Sequence, residues 1–382
     1  MKYTVVCLLI WCCQVTNGMN PADTLKDVLG NRSLLPVAAT YKTYRISDTA
    51  AYELQLALDA DNRPLYYYRN IFTPVCYTGE CKPVYINLYW DLPGNYIRYD
   101  LPAKEVLTKL DHREFKRDDY EKLHDILARP NSLLADLAIT DLIVPGTENL
   151  SDSVDARTGA TLKTIKNEVI SGAVYTCYTL WHIAHGPVTD EIARITDTYL
   201  NPTLLHRFLS SQNHTYQYKA LEKIMDKNGR IAPGFEKDIR TLINGKNIFI
   251  ARYTLQQVYP GFVTGAKAQS WLWDTYTKSG YPLQLTILRK LATVPLSAAM
   301  AKQLAVAGSS ANEEQFHLIL AALQATPGLP EPVIQQLADQ LKNTDATRAA
   351  AIHALLLQRQ PVNHSVKIKM HEYEQTLHPT EK

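Results

Sequence analysis

Leu65–Leu101 reads LYYYRNIFTPVCYTGECKPVYINLYWDLPGNYIRYDL. Three runs rich in Tyr and β-branched residues, Leu65–Phe72, Lys82–Trp90 and Tyr96–Leu101, are separated by the turn signals Thr78-Gly79 and Leu92-Pro93-Gly94-Asn95. The pattern predicts strands joined by short turns. In the second run Tyr85, Asn87 and Tyr89 share one face and Trp90 takes the other, because successive side chains on a strand alternate. Ring stacking on a ligand is open to these side chains, with core packing as the default.

Working outward, the same composition reaches back to Thr40, with a further turn at Asp61-Asn62-Arg63-Pro64. Downstream, acids at Asp118 and Asp119 precede Tyr120, Leu123, Ile126 and Leu127, an apolar stripe that predicts a helix ending before Pro130. After a loop through Pro145-Gly146, the residues Ile165, Val169, Ala173, Cys177, Leu180 and Ala184 recur at three- and four-residue steps. They predict one long helix, stopped by Gly186-Pro187. Residues 41–186 are therefore expected to form an α+β domain, a small antiparallel sheet with packed helices.

The pattern then changes. Residues 187–280 read as a largely helical linker region containing Trp271 and Trp273. Over 281–360, the segments Leu283–Leu291, Leu296–Ala307, Glu313–Leu323, Pro332–Leu341 and Thr347–Leu357 are short, Ala- and Leu-rich and amphipathic, with polar or Pro/Gly breaks between them. An all-α region of this kind resembles an α-solenoid of HEAT-like repeats, with a plain helical bundle as the alternative. Residues 361–382 read as a poorly ordered tail.

Met1–Gly18 carries one lysine, a short apolar run from Val5 to Cys13 and a small residue at Gly18, the pattern of a secretory signal peptide. The run is too short to span a bilayer. Residues 19–40 follow as a lead-in, and the protein is expected outside the cytoplasm, in a periplasm or at the cell surface. There disulfides persist, so Cys76 and Cys81, across the Gly79 turn, are expected to clip a hairpin. The chain has 382 residues and a formal charge of +2, too little for a global field that would recruit nucleic acid. It carries 23 Tyr against 7 Phe, an excess suited to half-buried surfaces and ligand faces.

The most chemically pointed segment is Asp155-Ala156-Arg157-Thr158-Gly159-Ala160-Thr161. Entering a helix at Thr158 to Thr161, it would offer free backbone N–H groups, little side-chain bulk at Gly159 and Ala160, and a hydroxyl at Thr161. The heptad resembles the flavinylation motif D-x-x-[ST]-G-A-[ST] of the FMN-binding domain family, found in the periplasmic flavin subunits of the Rnf and sodium-translocating NADH:quinone reductase complexes. Asp155, Thr158, Gly159, Ala160 and Thr161 fill it position by position. A chance match in a chain this long has a probability on the order of one in a few hundred. The resemblance implies FMN held by a phosphoester on Thr161 and installed by a flavin transferase, with Asp155 organising the motif. It covers residues 60 to 186, and the helical C-terminal half has no counterpart in those subunits.

His182 and His185, at i and i+3, lack a third metal ligand at suitable spacing and read as satisfied surface residues. His112 is assigned a loop or capping role, and Cys177 a buried thiol. No G-x-S-x-G, Walker, H-E-x-x-H or G-x-G-x-x-G motif occurs. The leading expectation is an exported flavoprotein-like electron carrier with unidentified redox partners, a carrier more than a classical enzyme. The alternative is a flavin-free secreted interaction or scaffold protein that binds another protein through its helical region.

Overall fold

The computed structural model describes residues 35–47, 51–75, 81–109, 112–142, 165–359 and 363–377. The chain divides into two compact units, Met1–Leu200 and Asn201–Lys382.

The first unit is built on five antiparallel strands in sequence order: β1 (Thr40–Ile46), β2 (Tyr52–Leu58), β3 (Pro64–Thr73), β4 (Val84–Trp90) and β5 (Tyr96–Asp100). Each pairs with the next, with register shifts at Ala57/Leu58 and Tyr89/Trp90. Alternation fixes the faces. In β4, Val84, Ile86, Leu88 and Trp90 are buried while Tyr85, Asn87 and Tyr89 are half-buried on the other side. The inner face also carries Leu54, Leu56, Tyr67 and Ile71.

Against this unit's core pack α1 (Arg117–Leu127), α2 (Val174–His185) and α3 (Val188–Asp197). The buried residues of α1 are Tyr120, Leu123, Ile126 and Leu127, the four of the expected stripe. Buried hydrogen bonds tie the helices to the sheet. Trp90 Nε1 donates to the Ala184 carbonyl at 2.7 Å, and Thr196 Oγ1 lies 2.7 Å from the Leu92 carbonyl and 3.0 Å from the Tyr67 hydroxyl. These bonds hold α3 with the sheet, so the division between units falls after Leu200, one helix beyond Gly186-Pro187.

The long helix expected from Ile165 to Ala184 is not continuous. Residues 165–173 form a 3-10 turn and bends, and α2 begins only at Val174. Ile165, Val169 and Ala173 are buried as the pattern requires, but Gly172 sits at φ +80°, a left-handed conformation that breaks a helix. Turns, not a helix, deliver these side chains to the core.

The second unit is all-α: α4 (Pro202–Leu209), α5 (His214–Ile224), α6 (Glu236–Ile243), α7 (Ile248–Gln257), α8 (Ala266–Lys278), α9 (Tyr281–Leu291), α10 (Ala298–Gly308), α11 (Glu313–Ala325), α12 (Glu331–Gln340), α13 (Ala346–Leu357) and α14 (His364–Leu377). Helices pair as hairpins, α4·α5, α6·α7, α8·α9, α10·α11 and α12·α13. Alternate helices stack in two layers, α8·α10·α12·α14 in one and α5·α7·α9·α11 in the other. Helix starts in the first layer are evenly spaced along the chain: Ala298 precedes Glu331 by the same interval as Glu331 precedes His364. The core repeats in step. Met300, Val333 and Val366 are buried at equivalent positions, as are Leu304, Leu337 and Met370. This is the arrangement of a helical-repeat stack.

The expectation of a poorly ordered tail is corrected as well. His364–Leu377 is helical and buries Val366, Met370 and Tyr373, completing the layer that begins with α8. Isolated from its neighbours, this lysine-containing helix has a weak apolar stripe; stacking on α12 is what orders it.

Candidate functional site

Asp155, Thr158, Gly159, Ala160 and Thr161 lie outside the described residues, as does Cys76. The described helix nearest to them along the chain, α2, starts at Val174, after the turns of 165–173. Cys177 is a buried free thiol whose sulfur accepts from the Ile170 N–H at 3.3 Å.

The two histidines of α2 have structural work. His182 Nε2 is 3.0 Å from the Leu134 carbonyl and His185 Nε2 is 2.8 Å from the Leu127 carbonyl. Tyr178 Oη donates to the Leu137 carbonyl and Trp181 Nε1 to the Arg129 carbonyl, at 2.9 and 2.8 Å. Four side chains of one helix thus fasten the main chain over residues 127–137. To donate, each imidazole must carry its proton on Nε2. Burial lowers both histidine pKa values, most strongly through loss of water around the charged form. His112 is exposed, at φ +56°, in the turn bracketed by the Thr108–Glu114 bridge, consistent with its loop role.

Much of the tyrosine excess sits on the outer sheet face. Tyr68 and Tyr89 stack with ring centroids 5.6 Å apart, Tyr41 meets Tyr68 edge-on at 5.5 Å, and Phe72 meets Tyr85 edge-on at 6.1 Å. A polar chain crosses the same strands: Asn70 Nδ2 donates to Asn87 Oδ1, Asn87 Nδ2 to Asp100 Oδ1, and Tyr89 Oη to Asp100 Oδ2, all within 2.7–2.8 Å. Burial and the Asp100 carboxylate push the Tyr89 phenol upward, so it remains a donor. The rings turn toward one another, and Asn70, Asn87, Asp100 and Tyr89 satisfy one another. The face is a self-contained ladder of cross-strand pairs, the packing reading of Tyr85 and Tyr89.

Two clefts of the helical unit differ in character. One, about 400 Å³, lies between α12 and α14 and includes Asp339, Lys342, Lys369 and Glu372. Its charges are already paired, Lys342 with Glu372 and Lys369 with Asp339. The other, about 610 Å³, is formed by the α6–α7 turn, the C-terminal half of α8 and the start of α9. Its walls include Ile243, Ile248 and Leu283, with Asn244, Lys246, Asp274 and Lys278 as polar groups. Lys246, Lys278 and Asp274 are exposed, and none enters an ion pair among the described residues.

Trp271 lines this second cleft, and its Nε1 is buried without a hydrogen-bond partner among the described residues. The ring is held rigidly: the Arg240 guanidinium lies 4.3 Å from its centroid and Phe262 meets it edge-on at 6.0 Å. Thr275 Oγ1 lies 2.8 Å from Asn244 Oδ1 and 3.0 Å from the Trp271 carbonyl. Next to the lining residues Ile248 and Pro282, Phe249 and Tyr281 are 72% and 44% exposed. Lys246 and Lys278 border the cleft against one carboxylate, Asp274, while Ile243, Leu283 and Trp271 Nε1 are buried behind its surface. Sequence reading missed it because its residues are ordinary turn residues from positions 243 to 283; the paired breaks Asn244-Gly245-Lys246 and Ser279-Gly280 were the available signal.

The chain matches no family model, no curated protein and no solved structure.

Proposed function

We propose that this is an exported interaction protein whose helical repeat docks a protein partner while the β-sheet unit serves as a structural domain. The observation that carries the reading is the two-layer stack with evenly spaced helix starts, because stacked hairpins generate extended binding surface without requiring a reaction centre. The self-satisfied tyrosine ladder supports a structural role for the sheet. The test is photo-crosslinking in the native host, with a photoreactive residue replacing Phe249 or Val306 in the repeat, or Phe72 on the sheet. A discrete adduct, the same protein from both repeat positions and absent from Phe72, is expected. Absence of adducts from the repeat, or equal labelling at Phe72, refutes the reading.

The heptad favours a second reading: a covalently flavinylated carrier with FMN on Thr161, Asp155 and Thr158 shaping the loop, and Gly159 and Ala160 keeping it open to phosphate. A covalent cofactor suits an exported carrier because a dissociable one would be lost by dilution. The flavin would supply the redox chemistry and the protein its position and surroundings. Co-expression with a flavin transferase, followed by denaturation, tests this. Flavin fluorescence and a mass gain of FMN minus water, abolished in Thr161→Ala, are expected; unmodified mass refutes it.

A further inference from the structure

We propose that Asn213 carries an N-linked oligosaccharide, placed on the turn between α4 and α5 at the start of the helical unit. The inference rests on the export half of the proposed function and is independent of its docking half.

The chain holds four Asn-x-Ser/Thr triplets without proline in the middle: Asn31-Arg32-Ser33, Asn149-Leu150-Ser151, Asn213-His214-Thr215 and Asn363-His364-Ser365. Such a triplet is the acceptor for N-linked sugar, and the context that supports it is an exposed turn of an exported protein. The first two lie outside the described residues, and hydrogen bonding separates the other two. Asn213 is the N-cap of α5, where its Oδ1 accepts from the Thr215 N–H at 3.0 Å and from Thr215 Oγ1 at 2.8 Å. Both bonds use the carbonyl oxygen, and Asn213 Nδ2 has no hydrogen-bond partner among the described residues. A sugar on Nδ2 therefore leaves the cap in place. Ser210, Gln212, Asn213 and His214 are exposed, so the branch leaves into solvent. Asn363 differs: its Oδ1 accepts from the Val366 N–H at 2.9 Å, and its Nδ2 donates to the Glu331 carboxylate at the start of α12. Sugar there would sacrifice a contact between α12 and the entry to α14. Asn201-Pro202-Thr203 also caps a helix, but its proline excludes it.

The new bond joins Asn213 Nδ2 to the anomeric carbon of an oligosaccharide supplied as its lipid diphosphate. The carbon–oxygen bond to the diphosphate breaks, the diphosphate leaves with the electron pair, and the amide proton passes to a base of the transferase. A hydrophilic branch at this turn keeps it out of a protein interface, which directs partner docking to other parts of the repeat.

The experiment recovers the full chain from its native host, inside and outside the cytoplasm, and treats it with peptide-N-glycosidase in heavy-oxygen water. Labelled aspartate at position 213, with a gel-mobility step removed by the enzyme, is expected. Thr215→Ala and Asn213→Asp should lose the step, the second while keeping an N-cap acceptor, and Thr215→Ser should retain it. Unmodified Asn213 in protein recovered outside the cytoplasm, or equal occupancy of Asn363, overturns the proposal and leaves export standing. Unmodified protein found only inside the cytoplasm overturns both. Crosslinking at Val306 reads the docking role separately in either event.

Discussion

Replacing Thr196 by Val tests how α3 is held to the sheet. Thr196 is fully buried, its hydroxyl 3.0 Å from the Tyr67 hydroxyl and 2.7 Å from the Leu92 carbonyl, and Tyr67 is itself fully buried. Valine preserves shape but removes the hydroxyl, leaving the Tyr67 O–H without this partner in a place water does not reach. Stranding a buried hydroxyl costs about 1–3 kcal/mol, so Thr196→Val is expected to destabilise the first unit by about 2 kcal/mol. Tyr67→Phe removes the other half of the pair. In the double variant no tyrosine hydroxyl remains to be stranded, so its loss should be smaller than the sum of the single losses by about 1 kcal/mol or more. Hydrogen exchange of β3 and α3 peptides across a urea titration reports the stability of this unit separately from the repeat. The claim that a buried hydroxyl pair fastens α3 is refuted by strict additivity, or by a Thr196→Val loss below about 0.5 kcal/mol, the lower end for an ordinary hydrogen bond.

Other outcomes follow from individual sites. Asp91 is 7% exposed, and burial raises its pKa to about 6 despite bonds from Asn95, so the folded state holds a proton that the unfolded chain releases near pH 4. Its stabilising contribution is present below pH 4 and lost as pH rises to 6, worth up to about 3 kcal/mol; urea midpoints of wild type and Asp91→Asn should converge at low pH and separate above it. The lowered pKa values of His182 and His185 act in the opposite direction, removing stability as pH falls below about 6.5, and imidazole proton resonances in the native protein should titrate below the ordinary histidine range. Gly229→Ala places a Cβ 2.0 Å from the Gln257 carbonyl oxygen at φ +75°, and should cost about 3 kcal/mol or more in the thermal unfolding of the repeat. Met370→Ala should cost about 2–5 kcal/mol if α14 belongs to the stack, and nothing measurable if it is a detached tail.

Periodicity was legible wherever one face of an element meets the core. The alternation Val84/Ile86/Leu88/Trp90 and the stripe Tyr120/Leu123/Ile126/Leu127 each fixed an element and its buried side. The same cue misled at Ile165, Val169 and Ala173, since burial at helical spacing can be met by turns, and Gly172 was the unweighted counter-signal. Repeat length was hidden because equivalence resides in volume and burial more than in identity: Met370 takes the role that Leu304 and Leu337 fill in the preceding repeats. The histidines of α2 were read as surface residues because their partners are carbonyls distant along the chain, and carbonyl positions leave no trace in residue types.

Neighbour-only stacking also governs how the helical unit comes apart. Each interior hairpin is supported from two sides, while α14 is supported by the layer through α12. Opening should therefore advance inward from the last helix, giving a graded ladder of exchange rates in place of one global transition. The same geometry makes length a free variable: a hairpin can be inserted or excised one whole repeat at a time while the remaining contacts keep their form, so the stack can be extended without redesigning what is already built.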